Sequence, residues 1–477
     1  MTQVHPGDRL TAEDAAFLYL EKPEMPLHIG SVSIYDGVIP FDDLVAYVQS
    51  RLPLIARYRQ RLVIPPFHVG HPTWETDPDF DIRNHVFLEH LKRGSSADLR
   101  NLAGRIFSRV MDRTRPLWDI CLVHGLSGNR SATIMRVHHC LVDGVSGVGL
   151  MNIMLNAAGD TAPPPPKPHR QHIPPLPGPE TSLTDALASS YSGMLERLLA
   201  AQSATVEIAH AIVNPGAAGA ITQLFAMLPE MLTPVERLPF NQPLTGPRRV
   251  AWSEFSLPEF KRIKDAHGAT VNDVVLTILT GAVERYAALH KVPLKNRLFR
   301  VMVPVNLRNA QNDNGYGNRV SLLPVNLPLD VRDPLKLLAA VTRVTSALKT
   351  ARVADLISLF STWIGATPAP VQAMLGPMAA LLPLPPFNMV CTNVPGPQFP
   401  LYAVGHEMLT YYPYVPIGSE MGVCCAIQSY NNKLYFGLTG DTGAAPDLHR
   451  LKKFLDQSFL ALRRAAGTAN VGLGQAV

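Results

Sequence analysis

At 477 residues, 47% of them hydrophobic and 17% charged, the chain is too long for one hydrophobic core and too apolar for a disordered polymer, so two globular domains are expected. A formal net charge of +5 without dense Lys/Arg runs argues against a nucleic-acid partner and suits an anionic ligand or membrane surface. The cysteines Cys121, Cys140, Cys391, Cys424 and Cys425 show no Cys-x-x-Cys spacing and read as buried, reduced thiols of a cytoplasmic protein.

The N-terminus carries no apolar signal core. Thr11, with Asp14 three residues later, predicts a capped helix through Leu20. Leu27 to Tyr35 alternates as a strand, and Leu44, Val45, Val48 and Leu52 give the stripe of a helix. Ile120 to Leu126 and Ser131 to His138 read as adjacent strands joined by the hairpin signal Ser127-Gly128-Asn129, with helical spacing at Val148, Met151 and Met154. Between Pro163 and Pro179 stand nine prolines. Such a run is extended, could span roughly 50 Å at about 3.1 Å per residue, and reads as an interdomain linker rather than a ligand for an aromatic groove. Two apolar helical stretches follow between Leu183 and Met231.

The mixed pattern resumes after Pro247: a strand at Val250 to Phe255, helices near Pro258 to His267 and Asn272 to His290, and a strand at Phe299 to Val305. A helix at Pro334 to Lys349, strands near Met389, at Gly422 to Tyr430 and at Leu434 to Thr439, and a helix near Leu448 to Arg464 complete it. The most apolar stretch, Ile364 to Pro386, carries six prolines, and no stretch reaches the ~20 uninterrupted apolar residues of a spanning helix. The expected division is 1–160, a linker and helical connector over 161–246, a second domain over 247–466, and a tail over 467–477, each domain a mixed sheet with flanking helices.

The chemistry concentrates at Ser131 to Gly144. Alternation puts Thr133, Met135, Val137 and His139 on one face, with Ala132, Ile134, Arg136 and His138 on the other. Two adjacent histidines therefore leave a strand end pointing opposite ways, followed by Asp143 and the turn residue Gly144. Histidine is the side chain best matched to removing a proton from an alcohol at neutral pH. Attack on an already activated ester needs no enzyme nucleophile, and Cys140 points away from His139 if the strand persists. Histidines on opposite faces cannot chelate one metal ion, and no His-Glu-x-x-His motif is present.

His138-His139-Cys140-Leu141-Val142-Asp143-Gly144 carries the His-His-x-x-x-Asp-Gly signature of the CoA-dependent acyltransferase superfamily, to which chloramphenicol acetyltransferase and peptide-synthetase condensation domains belong. The chain further resembles the bacterial wax ester synthase/diacylglycerol acyltransferase family. The opening Leu10 to Phe17 with Glu21 and Met25 to Gly30, the elements Pro116-Leu117-Trp118 and Asn272-Asp273, the segment Pro304 to Arg308, and Gly317-Asn318 and Asn393 to Pro397 carry that likeness. Asn306 departs from the serine usual in the family.

The resemblance implies an α/β fold of two chloramphenicol-acetyltransferase-like domains with an active-site tunnel between them. His139 would be the general base, His138 its supporting motif partner, and Asp143 a structural anchor pairing with Arg57, Arg59 or Arg61. Long-chain acyl-CoA would be the co-substrate, diacylglycerol or a fatty alcohol the acceptor, and no cofactor or metal would be needed. The site of action would be cytoplasmic, peripheral to a membrane or lipid droplet. A carrier-protein-dependent condensation-type transferase and a silent lipid-binding scaffold are the other readings, the first disfavoured by the missing carrier module and the second by the complete motif. Asn272 is a candidate substrate or oxyanion contact, while Asp273 fits a capping box. Asn393, Gly396 and Trp118 are expected to line the tunnel, the Pro116-Leu117-Trp118 element also packing beneath the catalytic strand. Lys452-Lys453 and Arg463-Arg464 read as a solvated helix face.

Overall fold

The computed structural model describes residues 9–65, 70–141, 151, 153–157, 235–306, 320–350, 370–371, 373–374 and 387–467. The Pro-rich run, the apolar helical stretches of the expected connector, Asp143, Gly144 and Gly317-Asn318 lie outside these residues.

The first half runs α1 (Ala12–Leu20), β1 (His28–Asp36), α2 (Phe41–Arg51), β2 (Gln60–Val63), β3 (Thr73–Thr76), β4 (Val86–His90), α3 (Ser96–Phe107), β5 (Trp118–Leu126) and β6 (Arg130–His138). Thr11 caps α1 as expected, its hydroxyl accepting the Asp14 N–H at 3.1 Å. The β5–β6 hairpin turns through Gly128 (φ 82°) and Asn129 (φ 52°), residue types that tolerate the left-handed region. The second half runs β7 (Arg248–Ser256), α4 (Leu257–His267), α5 (Val271–Leu289), β8 (Leu298–Asn306), β9 (Val320–Pro328), α6 (Pro334–Thr350) and β10 (Met389–Val394). It ends with β11 (Tyr402–Ala403), β12 (His406–Tyr414), β13 (Val423–Tyr430), β14 (Lys433–Asp441) and α7 (Leu448–Ala465).

Among the described residues two six-stranded mixed sheets result, ordered β11-β12-β1-β6-β5-β4 and β7-β14-β13-β10-β8-β9. The sheets do not respect the expected boundary at residue 247. Strands β11 and β12, from the second half of the chain, complete the first sheet, with β12 antiparallel to β1 (Gly30 opposite Tyr414). Leu238 and Phe240, placed in the connector by sequence, are core residues of the second unit. Each unit has its own core: Phe107, Leu117, Trp118 and Leu122 in the first, and Phe260, Leu279, Phe299 and Phe436 in the second. All five cysteines are unpaired and buried. Among the described residues no helix is long and apolar enough to cross a membrane.

The sheets meet where β12 crosses β14. The Trp252 and Tyr412 rings stack at 4.4 Å, and a Cβ at Gly437 would lie 1.9 Å from the Pro413 carbonyl oxygen. That contact is backbone on both sides and cannot yield by rotating a side chain. Gly437→Ala is therefore expected to lower the melting temperature by several degrees, and a variant melting with the wild type would show that the strands can part at no cost.

Candidate active site

Strand β6 stops at His138 because its backbone is gripped on both sides and then turned. The His138 N–H donates to the Leu117 carbonyl and the His139 N–H to the Leu27 carbonyl, each at 2.9 Å. The two motifs flanking the histidines in space, Pro116-Leu117-Trp118 and Met25-Pro26-Leu27-His28, are thus its backbone anchors. The Cys140 N–H then folds back onto Nδ1 of His138 at 3.2 Å, and residues His139–Leu141 form a 3-10 turn.

In this turn Cys140 lies against His138, its Sγ 3.0 Å from Nδ1. It still makes no nucleophile: burial raises its thiol well above the usual value, with the Asp14 and Glu21 carboxylates adding to the effect.

The two histidines have different surroundings. His138 is fully buried. Since its Nδ1 accepts from Cys140, its proton sits on Nε2, which lies 3.3 Å from Oε1 of Glu21, an electrostatic contact rather than an aligned hydrogen bond. His139 is half-buried and stacks on Phe17 of α1, ring centroids 3.8 Å apart and 12° from parallel. Burial lowers its pKa to about 4; its own backbone carbonyl opposes the shift and His138 adds to it.

A pH dependence follows. Were His139 the general base, its protonation would abolish catalysis, so kcat/KM would stay level from pH 8 down to about 5.5 and fall only as pH approaches 4. A limb centred near the ordinary histidine value of about 6.5 would contradict this. Stability runs with the same sign. His28, fully buried, has its pKa held well below the usual value by burial and by Arg136, His138 and Arg248. Unfolding lets it take up a proton, so its contribution is complete above about 6.5 and declines as pH falls below that value.

The remaining expected site residues divide. Trp118 does not line an opening: it is buried, stacks on Tyr58 at 5.0 Å and His85 at 4.7 Å, and donates Nε1–H to the Tyr58 carbonyl at 2.8 Å. Trp118 shares its face of β5 with the buried Ile120 and Leu122. Asn272 is half-buried on the first turn of α5. Asp273 completes the capping box with Thr270 (2.8 and 3.2 Å) and accepts from Thr345 at 2.7 Å. Asn393 is half-buried near the end of β10. A Cβ at Gly396 would meet the Ser429 carbonyl oxygen at 2.2 Å, the close backbone approach expected there.

Arg57 lies over Trp74, Arg59 over Phe80, and Arg61 reaches Asp77 at 4.0 Å; their pairing with Asp143 falls outside the described residues. Lys452 and Arg463 pair with Asp456 and Glu259 at 2.7 and 3.3 Å, as a solvated helix face would. Among the described residues no cluster of three His, Cys, Asp or Glu side chains could hold a metal ion. Phe17 and Glu21 were not read as site residues. Their signal was an aromatic and a carboxylate spaced four apart around the end of α1, which places both toward one side of it.

Two mixed sheets that share strands across the chain, with a histidine pair at the end of a central strand, define a two-domain acyltransferase fold of the chloramphenicol-acetyltransferase kind. The wax ester synthase/diacylglycerol acyltransferase catalytic domain matches residues 10–275 and that family's C-terminal domain matches residues 316–463. The chain belongs to this family and is an acyltransferase. It is 31% identical to a probable diacylglycerol O-acyltransferase of Mycobacterium tuberculosis, over 96% of this chain and 100% of the relative. The solved wax ester synthase/diacylglycerol acyltransferase of Marinobacter aquaeolei VT8 is 26% identical with a TM-score of 0.65, covering 96% of this chain and 100% of that one. The first condensation domain of the CDA synthetase, 16% identical with a TM-score of 0.58 over 96% and 97% of the two chains, shares the fold.

Proposed function

We propose that this chain transfers a long-chain acyl group from CoA to the hydroxyl of diacylglycerol, and to a fatty alcohol where one is offered, with His139 as general base. The observation that carries the reading is the half-buried His139 imidazole, held neutral at the end of β6 against Phe17. Nε2 would take the acceptor's hydroxyl proton as its oxygen attacks the thioester carbonyl. The tetrahedral intermediate would expel the CoA thiolate, which takes the proton back from the imidazolium. The thioester is already activated, so the step needs neither cofactor nor covalent acyl-enzyme.

Asn272, Asn393 and Gly396 would line the tunnel holding the substrates, Gly144 would supply the turn after His139, and Asp143 would anchor that loop. A water-insoluble acceptor calls for peripheral contact with a membrane or lipid droplet. Release of free CoA from palmitoyl-CoA should require an acceptor and rise with diacylglycerol, with triacylglycerol formed in equal amount. Thiol release that ignores both diacylglycerol and hexadecanol would refute the assignment.

A further inference from the structure

Behind the histidine pair lies a buried carboxylate. The Glu21 side chain is 3% exposed, yet its pKa is held at about 2: burial alone would raise it, and His138, the Leu27 N–H and Arg113 more than reverse that. Its contacts come from three stretches of chain. Oε1 accepts the Leu27 N–H at 2.8 Å and lies 3.3 Å from Nε2 of His138. Oε2 accepts from Arg113 at 3.0 Å, and the same guanidinium nitrogen donates to the Leu18 carbonyl at 2.8 Å, tying the carboxylate back to α1.

Each contact bears on a group next to His139. Leu27, fixed through its N–H, uses its carbonyl to hold the His139 N–H. His138, oriented through Nε2, uses Nδ1 to hold the Cys140 N–H and so bends the chain on the far side of His139. The helix that Arg113 ties to Glu21 carries Phe17, on which the His139 ring stacks. Backbone before, backbone after and ring face all converge on one carboxylate.

We infer that Glu21, braced by Arg113, is the positioning residue that sets the His139 imidazole in register for proton transfer. The inference rests on His139 being the base. Glu21 touches no reacting atom in this arrangement and acts only through His139. The energetic logic is preorganisation: an imidazole displaced by a fraction of an ångström still binds the same substrates but transfers the proton poorly. Loss of Glu21 should therefore appear in kcat and leave the KM for acyl-CoA alone.

Glu21→Gln keeps the side-chain length and an oxygen for the Leu27 N–H while removing the charge that orders His138 and Arg113. It is expected to lower kcat at least ~10-fold with KM changed less than about twofold, and to cause no further loss when combined with His139→Ala. Glu21→Asp, which retains the charge but is one methylene short, should recover only part of kcat. If Glu21→Gln proves insoluble, Arg113→Gln takes its place in the same scheme, because the Arg113 side chain is 36% exposed and tolerates loss of its partner better. A soluble variant with wild-type kcat would overturn the inference. So would a variant that slows the His139→Ala background by the same factor as the wild type, since that is what a merely structural residue does. Full activity of His139→Ala itself would instead sink the base assignment, and the inference with it.

Discussion

Asp441→Ala should be among the most destabilising single substitutions outside the hydrophobic cores. Asp441 and Arg248 form an ion pair at 3.1 Å with both side chains wholly buried. Oδ2 also accepts the N–H groups of Thr245 and Gly246, each at 2.9 Å, while Oδ1 accepts from the Thr245 hydroxyl, Gly443 N–H and Ala444 N–H at 2.8, 2.9 and 3.1 Å. Arg248 reaches across to the first unit, donating to the Glu24 carbonyl at 2.6 Å. Removing the carboxylate leaves a buried guanidinium without its counter-ion and several N–H groups without an acceptor, at a cost on the order of 3–5 kcal/mol. Burial tends to raise the Asp441 pKa, but these bonds win and hold it below the ordinary carboxylate value. The stabilisation is thus complete above the unfolded pKa of about 3.9 and is lost as pH falls through the lower folded value. Thermal melts at neutral pH should show the variant several degrees below the wild type; coincident melts would mean that the pair contributes nothing.

Local chemistry was legible, long-range assembly was not. The Thr270/Asp273 capping box and the Thr11 cap of α1 each lie within four residues of chain and are present. The strand period stops at His138, so His139 is placed by the 3-10 turn that follows rather than by alternation along β6. Strands β9 and β12 escaped notice because Pro324, Pro328 and Pro413 argue against a central strand. Strand β9 tolerates its prolines at the sheet edge, and β12 carries Pro413 one residue from its end. No local pattern could announce that β12 joins the first sheet, since its partner β1 lies at the other end of the chain. Helix α3 carries local signals of its own, a Ser95/Asp98 capping box before Leu99, Leu102, Ala103 and Ile106. The role of Glu21 was hidden for another reason: its significance lies in Arg113 and His138, which only the fold brings near.

His139→Ala carries the largest expected effect on activity. Without the imidazole the acceptor hydroxyl must lose its proton to water, and a positioned general base contributes at least ~100-fold. The ring makes its described contacts with Phe17 at its face, and its backbone N–H bond to Leu27 survives truncation, so folding should be spared. His138→Ala is expected to behave in the reverse way, because it leaves the buried Glu21 carboxylate short of a partner and removes the acceptor for the Cys140 N–H. Its fault should be read first in the melting temperature.

The most direct measurement takes palmitoyl-CoA and diacylglycerol and follows free thiol release by wild type, His139→Ala and His138→Ala, with a melt recorded on each preparation. The account predicts that His139→Ala melts with the wild type and turns over at least ~100-fold more slowly, while His138→Ala melts earlier and, where folded, loses less. A His139→Ala enzyme at wild-type rate, or a normally melting His138→Ala enzyme that is the inactive one of the two, would contradict it.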